Sequence, residues 1–216
     1  MMTAQTDREQ VKTYVSGRLR WLLSLPEHPQ KAALANLRRG VGRMPGDLPA
    51  IWGIFLQDLP PELESKTGAP TRAEWAIYLA LTLYALHQQG HALPGDNMNR
   101  EGARFGFAVR QLVKPGEQPQ DSSILRRFNA LATAASMREG AQHLRGIVQL
   151  LRADGIPLDY AQLAADLYDW QSLSAAPRVR LQWGQDYYRP LHKENDASPI
   201  QENGEENKDG FQTSVH

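Results

Sequence analysis

Apolar residues recur along this chain at helical intervals. Val11, Tyr14, Val15, Leu19 and Leu22 lie on one stripe, the i, i+3, i+4, i+7 spacing of an amphipathic helix, which predicts a helix from Arg8 to Leu25. A short helix follows in "QKAALANLRR". Thr71 and Glu74 form a capping box, in which each side chain bonds the other residue's backbone N–H, so another helix starts at "TRAEWAIYLALTLYALHQQG". From Trp75 to Leu86 that segment is apolar nearly all round, the pattern of a helix buried on most faces, and it is expected at the centre of the fold. A helix near "REGARFGFAVRQLV" comes next. In "SSILRRFNALATAA", Ile124, Phe128, Leu131 and Ala135 form the core stripe, with Asp121 to Ser123 supplying the cap. Ser136 and Glu139 make a second capping box, ahead of Leu144, Ile147, Val148 and Leu151. Asp159 caps "YAQLAADLYDW", with Tyr160, Leu163, Ala164 and Leu167 inward, and Pro177 stands in the first turn of a last helix, "PRVRLQWGQDYY".

No strand-like alternation with hairpin turns appears beside these helices, so the chain reads as all-α. The stretch "KPGEQPQDSS" is rich in Pro, Gly and Gln, which marks a boundary between two packed helical lobes forming a compact bundle. The expected division is an N-terminal lobe over 1–115, a C-terminal lobe over 116–192, and a tail over 193–216. That tail is acidic and almost without bulky apolar groups, a composition that predicts disorder.

Charge changes the picture. The formal net charge of the 216 residues is zero, but the tail holds six acids against two lysines, leaving residues 1–192 at +4. All eighteen arginines lie there, three for every lysine. Arginine's planar, permanently charged fork suits phosphate better than a point charge does. The absence of cysteine excludes disulfides, thiolate metal sites and cysteine nucleophiles. The first residues have no signal-like apolar core, and the Trp75–Leu86 run is about half the ~20 residues of a membrane span, so a soluble, cytoplasmic protein is expected.

Catalytic motifs are missing from the sequence. It contains no "GxSxG" elbow, no P-loop and no strand ahead of "GVGRMPG" to make it a dinucleotide fingerprint. His87 and His91 have the four-residue spacing of a helical metal pair, but Gly90 stands between them and no "HExxH" glutamate accompanies them. Asp166 with Asp169, and Asp154 with Asp159, sit where caps and solvated faces explain them. No enzyme, no metal and no cofactor is the resulting expectation.

The arginines remain. "LRRGVGRMPG" carries Arg38, Arg39 and Arg43 among Gly40 and Gly42. Arg126 and Arg127 lie opposite the Ile124–Phe128 stripe. Arg138, Arg145 and Arg152 share one face, and Arg178 and Arg180 open the last helix. Few i+4 acids compensate them, which favours an anion-binding track over a set of solvated faces. The five tryptophans fall mostly on apolar stripes, so phosphate contact without base readout is expected.

Taken in order, "NLRRGVGRMPGDLPAIW", "EWAIYLALTLYALHQ", "FGFAVRQLV", "ILRRFNALATA", "HLRGIVQLLRADGIPLDYAQLAADLYDW" and "VRLQWGQDYY" resemble the CasB family, the small subunit of the type I-E CRISPR surveillance complex Cascade. The likeness spans about residues 8–189. It implies an all-helical fold without catalysis, placed beside a second copy of itself and the other Cascade subunits. It also implies contact with guide RNA, the target DNA strand and the displaced single strand, in antiviral defence. The basic positions it singles out are Arg39, Arg72 and Arg127, flanked by Arg38 and Arg126, with Arg178 or Arg180 extending the track. Arg43 joins them as part of a loop presented to phosphate, where Gly40 and Gly42 permit the turn and close approach. The alternative is a helical scaffold whose arginines meet acidic protein surfaces.

Overall fold

Helix α4 (Arg72–His87) is the axis of the molecule, and every residue from Ala76 to Gln88 is buried. The computed structural model describes residues 2–190. Among these, nine α-helices are joined by turns and two short 3-10 segments: α1 (Met2–Ser24), α2 (Glu27–Arg39), α3 (Trp52–Phe55), α4, α5 (Phe105–Gln111), α6 (Ser123–Ala132), α7 (Met137–Ala153), α8 (Tyr160–Trp170) and α9 (Ala176–Tyr188). The all-α reading holds, and the one extended pairing is an isolated parallel bridge between Asn99 and Leu158. The tail expected to be disordered lies outside the described residues.

Around α4 pack α1, α2, α7 and α8, while α8 also lies along α1, α5 along α9 and α6 along α7. The stripes read from the sequence face this core, and Val11, Val15, Leu22, Leu144, Ile147, Val148 and Leu151 are fully buried. Each such aliphatic side chain stabilises the fold by roughly 1.5–3 kcal/mol. A single hydrophobic cluster runs through helices on both sides of residue 115.

The caps are local signals and form as their residues dictate. At α4 the reciprocal box is complete: Glu74 N–H donates to Thr71 Oγ1 at 3.0 Å, and Thr71 N–H to Glu74 Oε2 at 2.7 Å. At α7, Ser136 Oγ accepts from Glu139 N–H, but Glu139 accepts from Ala135 N–H rather than from the cap residue. Asp159 caps α8 through Gln162 N–H and uses its second oxygen to hold Gly102 N–H at 2.9 Å, tying the 100–103 turn to the core.

Three expectations shift. Helix α1 begins at Met2, because "TAQTDREQ" holds nothing that stops a helix. Helix α6 ends at Ala132, so Ala134 rather than Ala135 turns inward; the helical period fails once the helix has ended. Trp52, placed on an apolar stripe by its spacing, is 46% exposed because α3 is a single turn.

Tight glycines set two helix distances. A Cβ on Gly106 would sit 2.2 Å from the Trp183 carbonyl oxygen, so only glycine lets α5 meet α9. A Cβ on Gly140 would sit 2.7 Å from the Trp170 ring, where the first turns of α7 meet the end of α8.

Candidate nucleic-acid interface

The stretch singled out in the sequence is built on a contact between α2 and α4. Gly40 closes α2 with ordinary right-handed angles, φ −75° and ψ −17°. Its lack of a side chain serves packing: a Cβ there would lie 2.9 Å from Thr82 Cγ2 and 3.0 Å from the Tyr78 hydroxyl. That hydroxyl donates to the Gly40 carbonyl at 2.8 Å, and burial pushes its pKa up to about 12, so it stays a donor. Gly42 makes the turn itself, with φ +83°. Beyond it, Arg43 Nε donates to the Arg39 carbonyl, and Asp47 accepts from Met44 N–H at 2.9 Å. The helix end and loop are thus fixed against the most buried helix of the fold.

Across from this loop stands α7. Arg43, Met44 and Asp47 line a groove of about 390 Å³ together with Trp75, Arg138 and Arg145. Arg138 Nη2 lies 3.0 Å from Met44 Sδ, and Arg145 Nη1 is 3.7 Å from where a Gly42 Cβ would stand. Arg138 and Arg145 were legible as one helix face; their meeting with Arg43 was not.

A second groove, of about 510 Å³, is lined by Arg72, the Thr133–Met137 turn, Trp170, Leu173 and Arg180. The two grooves abut, since Trp75 and Arg138 face one while Arg72 and Met137 face the other. The first turns of α4 and α7 form the ridge between them. Arg72 is held with its guanidinium 4.7 Å over the Tyr168 ring and Nη2 3.2 Å from the Tyr168 hydroxyl.

Arg178 sits differently from Arg180. Its Nη2 donates to Asp169 Oδ2 at 2.6 Å, and Arg8 Nε reaches the same oxygen at 2.9 Å. Arg8, Arg104, Asp166, Asp169 and Arg178 line one small pocket. Arg104 lies 3.0 Å from the buried Asp186 carboxylate, at an angle too poor for a hydrogen bond, so that contact is chiefly coulombic. Burial raises the pKa of Asp166 and of Asp186. These charges brace α1, α5, α8 and α9 against one another.

The remaining candidates are open to solvent. Arg39, Arg126 and Arg127 are exposed and Arg38 is half-buried. Among the described residues, none of Arg38, Arg39, Arg43, Arg72, Arg126, Arg127, Arg138, Arg145 and Arg180 enters an ion pair. Arg18 is an arginine that sequence alone does not tell from these. It is buried, donating to the Ile54 and Gly53 carbonyls at 2.9 Å each while stacking 4.3 Å over Trp21.

The histidine pair does not converge. His87 Nδ1 is 2.9 Å from the Tyr160 hydroxyl inside the core, and burial lowers its pKa to about 4. His91 instead faces Asp96 at 2.6 Å and the Arg152 carbonyl at 3.3 Å. Among the described residues no group of three or more His, Asp or Glu is placed to hold a metal ion, and no helix is long and apolar enough to cross a membrane.

Residues 33–188 match the model of the family described as CRISPR-associated protein Cse2. Among solved structures, CasB from Thermobifida fusca is 38% identical, with 83% of this chain and 98% of that chain covered and a TM-score of 0.69. CasB from Thermus thermophilus is 25% identical over 84% of this chain and 97% of that one, with a TM-score of 0.60. M. ruber CasB, 23% identical with coverages of 81% and 92% and a TM-score of 0.59, bears on the fold alone. No curated protein matches the chain.

Proposed function

The chain belongs to the Cse2/CasB family of type I-E Cascade subunits, and from that membership we propose that it steadies nucleic-acid strands inside the complex without catalysing any reaction. In this reading its exposed arginines contact the phosphate backbones of guide RNA and target DNA and hold the displaced strand of the R-loop. It works beside the other Cascade subunits and a second copy of itself. The observation that carries the reading is the pair of abutting grooves, where Arg43, Arg138 and Arg145, with Arg72 and Arg180 next door, face solvent without an acidic partner among the described residues. R-loop formation exchanges one duplex for another of similar stability, so a few backbone contacts are enough to tip it. Phosphate positions repeat whatever the base, so such contacts act on any sequence. Arg39, Arg126 and Arg127, on the outer faces of α2 and α6, are the further contacts proposed, with Arg38 supporting them. Arg178 is the weakest candidate, since Asp169 already takes its charge.

The test is salt dependence of target binding by the reconstituted complex. Replacing Arg43 and Arg145 by Gln takes away two positive charges, and the slope of log affinity against log salt is expected to flatten by roughly 0.7–0.9 for each phosphate no longer neutralised. Arg39→Glu with Arg127→Glu is expected to weaken binding and flatten the slope in the same sense. Folded variants whose slopes match the parent would remove the phosphate role.

A second reading, a helical scaffold without direct strand contact, is favoured by one feature: Leu173 is 99% exposed, and Leu181 and Tyr188 are exposed on α9. Photo-cross-linking in the assembled complex separates the two, because a scaffold gives protein adducts only.

A further inference from the structure

Trp75 is the one residue between Ala73 and Gln88 that is not buried. Every other side chain in that stretch is enclosed, so its partial exposure is a local opening in the most tightly covered helix of the protein. The opening gives onto the groove of about 390 Å³ that Arg43, Arg138 and Arg145 also line. Its volume falls within the ordinary range of small-ligand clefts. Leu79 and Ala141 supply apolar lining, and Asp47 is the one carboxylate among the lining residues.

This combination differs from a surface that takes phosphate alone. A tryptophan ring backed by a rigid core is a stacking platform for any base. A carboxylate is a liability beside a phosphate, but it accepts a hydrogen bond from an exocyclic amino group such as that of cytosine. The guanidiniums supply the charge that the adjoining phosphates need. Arg138 is steadied by Met44 Sδ at 3.0 Å, and Arg145 lies beside the glycine turn at residue 42, so neither charge has to be ordered from a fully free state.

We propose that the groove between the loop after α2 and the helix α7 is a pocket for one unpaired nucleotide. The base lies against Trp75 and its neighbouring phosphates lie on Arg43, Arg138 and Arg145. The inference rests on the reading that this protein binds strands, and it adds a base contact to what is otherwise backbone binding.

The test compares two 12-nucleotide single strands with the full chain: oligodeoxycytidylate, and a deoxyribose-phosphate strand of the same length with no bases. Stacking on one aromatic side chain is expected to make the base-bearing strand bind about tenfold more tightly. Trp75→Leu, which keeps the apolar bulk, is expected to bring that ratio close to one while leaving the salt slope unchanged. Trp75→Phe, which keeps a ring, is expected to retain most of the preference. Equal affinity of the parent protein for the two strands, with a normal salt slope, overturns the pocket and leaves the backbone reading standing. A preference that survives Trp75→Leu in a helical, folded protein places any base contact elsewhere and also overturns it. Absence of salt-dependent binding to either strand overturns both proposals.

Discussion

His87 gives the most quantitative check on the core that carries the arginines. Its ring is fully enclosed and bonded to the Tyr160 hydroxyl, which itself packs on Tyr84, with His91 and Arg152 as the other titratable groups acting on it. Burial chiefly, then His91, depresses its pKa from 6.5 to about 4. Above pH 6.5 the imidazole is neutral in both the folded and the unfolded chain, so it contributes no pH dependence. Below 6.5 the unfolded chain takes up the proton and the folded one does not, which favours unfolding progressively until the pH falls past the folded value near 4. Worked through for pH 4.5, the loss attributable to this one residue is roughly 2–3 kcal/mol relative to pH 7. The perturbation is His87→Asn, which keeps a polar atom near the Tyr160 hydroxyl and removes the titration. Urea unfolding of both proteins at pH 7.0 and pH 4.5 provides the measurement. The variant is expected to start about 1 kcal/mol or more less stable, from poorer packing and bonding, yet to lose roughly 2–3 kcal/mol less on acidification than the parent. Asp166 and Asp186, whose raised pKa values act in the opposite sense, are common to both proteins and cancel in the comparison. Equal acid losses in the two proteins would show that His87 is not held neutral, and the tightly closed helix α4 would have to be redrawn.

Two further outcomes test the frame. Gly106→Ala puts a methyl carbon 2.2 Å from a backbone carbonyl that cannot move without separating α5 from α9; a loss of about 3 kcal/mol or more in urea unfolding is expected, the upper end of overpacking costs, and a near-neutral result would contradict the packing described. Arg18→Leu strands the Ile54 and Gly53 carbonyls and is expected to cost about 2–4 kcal/mol, whereas Arg127→Leu, on an exposed face, is expected to stay within about 0.5 kcal/mol in the same assay; equal costs would mean that burial does not separate the two arginines.

The sequence by itself determined the helices, their caps and their inward faces. Thr71, Ser122 and Asp159 act within one turn of their own positions, the stripes of α1, α7 and α8 are set by a 3.6-residue period, and α4 is apolar nearly all round, so no distant information is required. The ordered blocks were also enough for the family likeness. What only the tertiary structure decided is which arginines are available and which meet. Arg18, Arg178 and Arg145 look alike as letters, yet one satisfies buried carbonyls, one is neutralised by Asp169, and one faces a groove with residues about a hundred positions earlier in the chain. Gly40 reads as a glycine for a turn and close approach, and only the fold shows that the approach is that of Thr82 and Tyr78; Trp75 reads as core but is only half-buried. The physical reason is common to all of these. Local spacing fixes the direction a side chain takes from its own helix, while its partners, its burial and its free charge depend on the helix that the folded chain brings alongside.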